Sequence, residues 1–200
     1  GIGAVAGHRI GKRFVPTRYT STHRWAENKA GAVMTDAGLW KRAQWFHQEG
    51  DKSWIESCNR EVLNTRNKVG LNDVSTLGKI DIQGPDAGEF LNRLYTNGFA
   101  KLPVGKARYG MMLREDGSVM DDGTTSRLSE NHYYMTTTTA AAGAVISHME
   151  YYHQAIWPSL KVQFTSVTDQ WSAFAVAGPR SRDVLRKVVE DLDLSHEAFP

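Results

Sequence analysis

The sequence contains a single cysteine, Cys58, among its 200 residues. One cysteine excludes an intrachain disulfide and any metal site built from several thiolates, and this scarcity favours a reducing compartment such as the cytoplasm. No apolar run approaches the roughly 20 residues that a spanning helix needs, so we expect no membrane partner. The formal net charge of +2 is too small to indicate nucleic acid as the main partner.

Motifs for binding metals and phosphates are also missing. The seven histidines are scattered, and His148 and His153, five residues apart, would lie on different faces of a helix, which disfavours a metal pair. The sequence has no zinc motif, no phosphate-binding loop and no Gly-x-Ser-x-Gly elbow. The glycines of residues 1–7 are close to a dinucleotide fingerprint but have the wrong last spacing and no preceding strand. We therefore expect no metal site and no dinucleotide site here.

Positive charge is concentrated near the amino terminus. Residues 1–30 contain one acid, Glu27, and six bases: Arg9, Lys12, Arg13, Arg18, Arg24 and Lys29. The segment is either a solvated, partly ordered leader or one that meets an anionic group or an acidic partner surface. Residues 8–48 show no clean hydrophobic period, which predicts irregular structure with one or two short strands around residues 31–34.

A helix is well marked after residue 52. Ser53 followed by Glu56 is a capping-box pattern, and Gly70 stands where such a helix would stop. Apolar side chains recur at near-helical spacing from Trp54 onward. Cys58 lies on that apolar face, which favours a small buried side chain over a nucleophile.

A strand–Gly–Pro–helix pattern occurs twice, at Gly84-Pro85 and at Gly178-Pro179. The first copy predicts a strand over 73–83 and a helix over 87–95, and the second predicts a strand over 173–177 and a helix over 181–192. Two copies fit a domain with two related halves.

Between these two patterns the sequence predicts an antiparallel meander. Its strands cover residues 107–113, 118–128 and 132–138, and Asp116-Gly117 is a strong hairpin signal between the first two. The irregular alternation of strands and helices, together with the hairpins, indicates an α+β fold rather than a doubly wound parallel sheet.

Two consecutive aspartates, Asp121 and Asp122, stand in the middle of the second meander strand. Aspartate is depleted in strands, and successive side chains point to opposite faces, so one carboxylate must face whatever covers the sheet. A carboxylate in that position must be hydrogen-bonded, paired or shifted toward its neutral form. It is either a structural aspartate next to Gly123 or a general base and acceptor for a ligand amine.

Tyrosine and threonine side chains surround this pair in the predicted meander. Tyr109 is on the first strand, and Tyr134, Thr136 and Thr138 share one face of the third strand by the two-residue period. They form either an ordinary β surface, since both residue types favour strands, or a surface for a flat ligand.

Three long stretches carry a resemblance to a known family. They are LNDVSTLGKIDIQGPDAGEFLNRLYTN, VGKARYGMMLREDGSVMDDGTTSRLSENHYYMTTTTAAA and AVAGPRSRDVL. Together they are similar to the folate-binding aminomethyltransferase family, which includes the T-protein of the glycine cleavage system. The segments GKRFVPTRYTSTHRW and GAVMTDAGLWKR extend the similarity to the alpha subunits of heterotetrameric sarcosine oxidases.

The resemblance implies a folate-binding aminomethyltransferase-like α+β fold, in which an antiparallel-sheet domain is inserted into a split domain. Residues 1–30 would be a basic leader from an upstream dinucleotide-binding domain. Residues 31–71 and 151–200 would be the first part of the split domain, and residues 72–150 would be the inserted domain. The chain would be a truncated piece of a longer subunit, and we expect it to be catalytically silent alone.

The resemblance also implies a binding site. By its position in GSVMDDG, Asp122 matches the acidic residue that contacts the reactive folate nitrogens, and we expect its carboxyl to be buried beside an aromatic-walled slot. Five further residues match family positions that line the folate channel, the last two by position rather than identity: Leu77, Tyr109, Tyr134, Thr136 and Thr138.

The implied reaction captures a one-carbon unit. A flavin in the intact complex would oxidise sarcosine to an imine, and the imine, or formaldehyde derived from it, would meet tetrahydrofolate and give 5,10-methylenetetrahydrofolate and glycine. FAD or FMN, and NAD, would be held by the intact complex and not by this chain alone. The implied partners are the flavin-carrying beta subunit and the other subunits of a heterotetramer.

Two other functions remain open at this point. One is a glycine-cleavage-type aminomethyltransferase or a folate-dependent demethylase on the same scaffold. The other is a non-catalytic assembly module whose folate channel is incomplete. The basic leader before Trp25 and the GLWKR segment favour the sarcosine oxidase-like enzyme.

Overall fold

The computed structural model of the chain describes residue 15 and residues 17–198. Within this range the chain forms two compact units, one discontinuous and one continuous. The split unit combines the residues up to Val74 with those from Ser172 onward, and the inserted unit spans Ser75–Trp171. Both contain helices and antiparallel strands, which confirms the α+β class.

The split unit contains two small sheets. Its elements, in chain order, are β1 (Arg18–Tyr19), α1 (His23–Lys29), β2 (Ala32–Ala37), β3 (Trp40–Phe46), α2 (Trp54–Asn67), β4 (Gly70–Asp73), β10 (Phe174–Ala177) and α5 (Ser181–Leu185). The first sheet has the order β1-β3-β2, and the second pairs β4 with β10 antiparallel.

The basic leader is more ordered than the sequence indicates. Its described part forms β1 and α1, and the Arg18 guanidinium lies 4.8 Å from the centre of the Trp40 ring. The expected irregular segment up to residue 48 contains the β2–β3 hairpin, which turns at Gly38 with a φ of 58°. A bulge between Val33 and Met34 shifts its register and hides the alternation of side chains. Residues 1–14, and with them the glycine-rich start, lie outside the described range.

Helix α2 begins where the sequence predicts but packs differently. The Ser53 hydroxyl accepts the Glu56 N–H at 3.4 Å, as an N-cap does. The helix is held on its packed side by polar groups: Ser57 is fully buried, and Arg60 donates to the Phe46 carbonyl at 2.6 Å. The expected apolar packing face is wrong, because Trp54 and Val62 are more than half exposed, and Cys58, expected to be buried, is only partly buried.

The inserted unit is built on one five-stranded antiparallel sheet with the order β6-β7-β8-β5-β9. Its elements are β5 (Gly78–Gln83), α3 (Ala87–Leu94), β6 (Ala107–Leu113), β7 (Val119–Ser129), β8 (His132–Thr137), α4 (Ala142–Tyr151) and β9 (Gln163–Ser166). The predicted β6–β7–β8 meander is confirmed, and its first hairpin turns at Gly117 with a φ of 82°.

Each unit contains one of the two strand–Gly–Pro–helix patterns. In the inserted unit β5 leads through Gly84 into α3, and in the split unit β10 leads through Gly178 into α5. Both glycines have positive φ, 137° and 116°, which residues with a Cβ rarely adopt. The second helix is shorter than predicted and ends at Leu185.

The core of the inserted unit lies between one face of the sheet and the helices α3 and α4. Phe90 and Leu91 of α3 are fully buried against Ile82 and other apolar side chains of the sheet. Phe164 of β9 stacks on Phe90 with ring centres 5.5 Å apart. Because β9 pairs with β5, residues 151–171 belong to this unit, whereas the sequence placed them in the split domain.

Gly123 of β7 is a position where any side chain would separate two strands. A Cβ built there would lie 1.9 Å from the Thr136 carbonyl oxygen, which is backbone and has little freedom to move. We expect Gly123→Ala to lower the free energy of unfolding by about 1–3 kcal/mol, as overpacking does. Gly143→Ala is the matched control, because nothing lies within 4 Å of a Cβ there. Urea unfolding of both variants checks this, and equal midpoints would contradict it.

Asp51 ties the loop before α2 to the helix, and this contact should depend on pH. It accepts bonds from Arg60 and from the Ser57 hydroxyl, which hold its pKa well below the usual range. The unfolded chain therefore takes up a proton that the folded chain does not, and stability falls as the pH drops below about 4. We expect Asp51→Asn to reduce this loss between pH 5 and about 2.5.

The control for that variant is Glu49→Gln. Glu49 lies in the same loop and makes no hydrogen bond or ion pair with other residues in the described range. Urea midpoints measured at neutral and acid pH compare the three proteins. An acid dependence of Asp51→Asn that matches the wild type would contradict the assignment.

Candidate functional site

The two faces of the inserted unit's sheet differ in character. One face carries the core. The other, here called the open face, carries these side chains of β6, β7 and β8: Tyr109, Met111, Asp122, Thr124, Ser126, Tyr134 and Thr136. Tyr109 is 55% exposed and Met111 is 41% exposed, so this face is accessible.

The aspartate pair is divided between these two faces. Asp121 points into the core and is 4% exposed, and Asp122 points to the open face and is half-buried. The Asp121 carboxylate accepts two bonds from Thr138, from the backbone N–H at 3.2 Å and from the hydroxyl at 2.6 Å. The buried carboxylate is therefore Asp121, and the expectation of a buried Asp122 is wrong.

Asp122 is held by a single side chain. The Tyr109 hydroxyl donates to Oδ2 of Asp122 at 2.6 Å across the β6–β7 pair. This bond raises the pKa of Tyr109, so the phenol keeps its proton and remains a donor. Oδ1 of Asp122 has no hydrogen-bond partner within residues 17–198. The arrangement fixes the carboxylate and leaves one oxygen available to accept a proton or an N–H.

Thr136 and Tyr134 continue the open face along β8. The Thr136 hydroxyl accepts a hydrogen bond from the backbone N–H of Thr124 at 3.0 Å. Tyr134 lies opposite Ser126, and burial raises its pKa. Tyr109 and Tyr134 are two strands and two residues apart, which puts their Cα atoms about 12 Å from each other. The two phenols stand at either side of a strip of small hydroxyl side chains.

Thr138 and Leu77 lie at one end of the sheet rather than on the open face. Thr138 follows β8, and its hydroxyl proton is committed to Asp121. Leu77 is half-buried in a turn that precedes β5. The predicted strand over residues 73–83 is broken by this turn, so β4 and β5 belong to different units. Of the six predicted residues, the structure brings Asp122, Tyr109, Tyr134 and Thr136 together.

The sequence did not predict the groups that stabilise the end of the sheet near Leu77 and Thr138. Lys79 is fully buried, and its ammonium donates to the Ser75 carbonyl at 2.7 Å and to the Leu77 carbonyl at 2.9 Å. Alternation in β5 predicts that Lys79 faces solvent, so no sequence signal marks it as buried. The contact of Asp81 with His132 toward the other end of the β5–β8 pair, where the side chains approach to 2.5 Å, was also missed.

Other features of the chain lie away from these residues. A cavity of about 630 Å³ in the split unit is lined by hydroxyl and charged side chains, among them His23, Arg24 and Lys41. None of the predicted site residues borders it. In the part of the chain that the structure describes, three or more metal-ligating side chains nowhere converge, and no helix has the length and apolarity to cross a membrane.

Comparison with known proteins confirms the resemblance. The chain is 56% identical over 199 residues to the sarcosine oxidase alpha subunit of Rhizobium meliloti (strain 1021), covering 100% of this chain and 20% of that protein. It is 49% identical over 196 residues to the alpha subunit of Corynebacterium sp. (strain P-1), covering 98% and 20%. The chain thus spans about one fifth of the length of these relatives.

More distant relatives share the fold. The aminomethyltransferase of Thermotoga sp. (strain RQ2) is 29% identical over 161 residues, which is 80% of this chain and 41% of that protein. The crystal structure of glycine cleavage system aminomethyltransferase T from Bartonella henselae superposes with a TM-score of 0.73 at 25% identity, covering 85% of this chain and 43% of that one. The sequence profile of the GCVT N-terminal domain matches residues 22–200. The chain therefore belongs to the GCVT N-terminal domain family.

Proposed function

We propose that the open face of the inserted unit binds tetrahydrofolate, and that the chain is the folate-handling part of a sarcosine oxidase-like alpha subunit. The identity of 56% to such a subunit supports the parent enzyme. The observation that carries the proposed site is the Asp122 carboxylate, held by Tyr109 with its second oxygen available. Tyr134 and the threonine hydroxyls beside it offer a flat, polar surface for the rest of the ligand.

The chemistry needs a group that relays protons. In the proposed reaction, one folate amine attacks the imine carbon derived from sarcosine, and the second folate amine then displaces glycine. Two C–N bonds to that carbon form and both bonds of the C=N group break. Each folate amine loses one proton, and the glycine nitrogen gains both. A carboxylate that accepts a proton from a folate amine and returns it to the glycine nitrogen would serve this transfer. Oδ1 of Asp122 is the proposed acceptor.

Positioning should contribute more than proton transfer. Holding an amine and an electrophile in attack geometry lowers a barrier by about 7–11 kcal/mol in favourable cases. A well-placed general base contributes about 10²–10⁴-fold. Tyr109 and Tyr134 of the open face would orient the folate amine, and Asp122 would contribute the smaller effect of general-base catalysis.

We propose that flavin and NAD bind elsewhere in the complex. A dinucleotide cradle needs successive backbone N–H groups between a strand and a helix. In two of the strand-to-helix connections, Gly84-Pro85 and Gly178-Pro179, a proline removes one such donor. We therefore assign oxidation of the amine to other parts of the proposed complex, which would include a flavin-carrying partner subunit.

A glycine-cleavage-type aminomethyltransferase is the second candidate, supported by the structural likeness to aminomethyltransferase T. The two candidates differ in their partners. Recovery of a flavoprotein subunit together with the intact protein would favour the first candidate. Recovery of no flavoprotein would favour the second.

Tetrahydrofolate should bind to the intact protein that carries this sequence, and Tyr134→Ala should weaken binding. Removing one aromatic platform should raise the dissociation constant about fivefold to tenfold. Tyr151→Ala is the control, because Tyr151 is 58% exposed on α4 and lies off the open face. Calorimetric titration measures both. Absence of heat at millimolar tetrahydrofolate, or equal weakening by the two variants, would contradict the proposed site.

Asp122→Asn should leave tetrahydrofolate binding within a few-fold and lower methylene transfer by about 10²–10⁴-fold, because the amide cannot accept the proton. Tyr109→Phe should lower transfer less, since it loosens the carboxylate without removing it. Asp121→Asn should affect stability more than transfer, because Asp121 is buried and bonded to Thr138.

The yield of methylenetetrahydrofolate per enzyme turnover is the measurement. An unchanged yield in Asp122→Asn would reject this residue as the base. A larger loss of transfer in Asp121→Asn than in Asp122→Asn would mean that the two carboxylates have exchanged roles.

A further inference from the structure

Buried polar side chains of the inserted unit are concentrated at one end of its sheet. Eight polar or charged residues of the described chain are buried, and six of them lie at this end: Ser75, Thr76, Lys79, Asp121, Thr137 and Thr168. They occupy the turn before β5, the start of β5, the first half of β7, the end of β8 and the short helix after β9. The same backbone segments carry Leu77, which the family resemblance implies as a folate contact, and Asp122, the proposed proton acceptor.

Lys79 holds the turn that carries Leu77. Its ammonium donates to the carbonyl oxygens of Ser75 and Leu77, and its backbone N–H donates to the Thr168 hydroxyl at 3.1 Å. A fully buried ammonium is strongly desolvated and stays charged only when it is well bonded. The turn is thereby fixed at both of its ends by one side chain.

Two hydroxyl contacts connect this turn to β7. The hydroxyls of Thr76 and Thr139 lie 2.9 Å apart, which joins the turn to the segment after β8. The next residue back, Thr138, donates its N–H and its hydroxyl to Asp121. Asp121 in turn precedes Asp122 directly in β7. The path from Lys79 to Asp121, here called the buried polar network, runs through the turn at Thr76 and then through Thr139 and Thr138.

We propose that the buried polar network sets the position of Leu77 relative to Asp122, and that Thr76, Lys79 and Asp121 are positioning residues for the folate site. This inference rests on the proposed function. Apolar side chains of similar volume would stabilise a core at least as well as buried charges do. Fully bonded polar groups instead specify a single arrangement, because each bond has a preferred length and direction. The network bonds directly to the backbone segments that carry Leu77 and Asp122, whose spacing a rigid ligand would have to match.

Thr76→Val tests the network at its connecting bond, because valine keeps the shape and removes the hydroxyl. We expect the Thr138 N–H to exchange with solvent about tenfold faster, since Thr139 loses its partner. We also expect the dissociation constant for tetrahydrofolate to rise about threefold to tenfold. Thr76→Ser keeps the hydroxyl and should restore both values. Thr125→Val is the matched control, a buried threonine of the same sheet outside the network.

Hydrogen exchange of peptides over residues 71–79 and 132–141, with calorimetry on the intact protein, supplies the readouts. Unchanged exchange at Thr138 in Thr76→Val would show that the network does not connect the two segments. Faster exchange with unchanged affinity would reject the positioning role, as would an equal loss of affinity in Thr125→Val. If the wild type binds no tetrahydrofolate, the proposed function fails, and the exchange data still decide whether the network exists.

Discussion

The register of β7 against β6 determines which of two adjacent carboxylates is buried. Side chains alternate between the two faces of a strand, so a register slip of one residue would send Asp121 to the open face and Asp122 to the core. The observed register pairs Gly110 with Gly123. A Cβ at Gly110 would lie 2.9 Å from the Phe99 ring, and one at Gly123 would meet the Thr136 carbonyl. Both glycines thus stand where a side chain would clash, and the register that pairs them sends Asp122 to the open face.

The buried carboxylate of Asp121 is tolerated because neighbouring groups donate hydrogen bonds to it. Thr138 donates two hydrogen bonds to the Asp121 carboxylate. The nearby Tyr95 stays neutral, because burial, and to a smaller extent the charges of Asp121 and Asp122, raise the pKa of its hydroxyl. The Tyr95 hydroxyl donates to the Met135 sulfur at 2.9 Å instead of ionising. Asp121 thus fixes the end of β8 beside a tyrosine that keeps its proton.

Local sequence patterns predicted the elements of the inserted unit well and its polar interior poorly. The meander, the Asp116-Gly117 turn and α3 follow from period and turn chemistry, which depend on neighbours in the chain. The Ser75–Leu77 turn does not, because the strand pattern continues through it and the bonds that fix it come from Lys79 and Thr139. The short strand predicted around residues 31–34 overlaps β2, but β3 was not predicted and a bulge interrupts the alternation of the hairpin.

The exposure of Asp122 bears on how such a site could work. A half-buried carboxylate that keeps contact with water gains little from electrostatics, because solvent screens it, and its value as a base rises when water is excluded. One oxygen is already occupied by the Tyr109 phenol, so a flat ligand that rests on Tyr109 and extends over Asp122 would cover the other. The ligand itself would then complete the environment that the carboxylate needs. On this argument the fixed spacing of the open face matters more than the basicity of Asp122, because only a ligand that matches that spacing would exclude water from Oδ1.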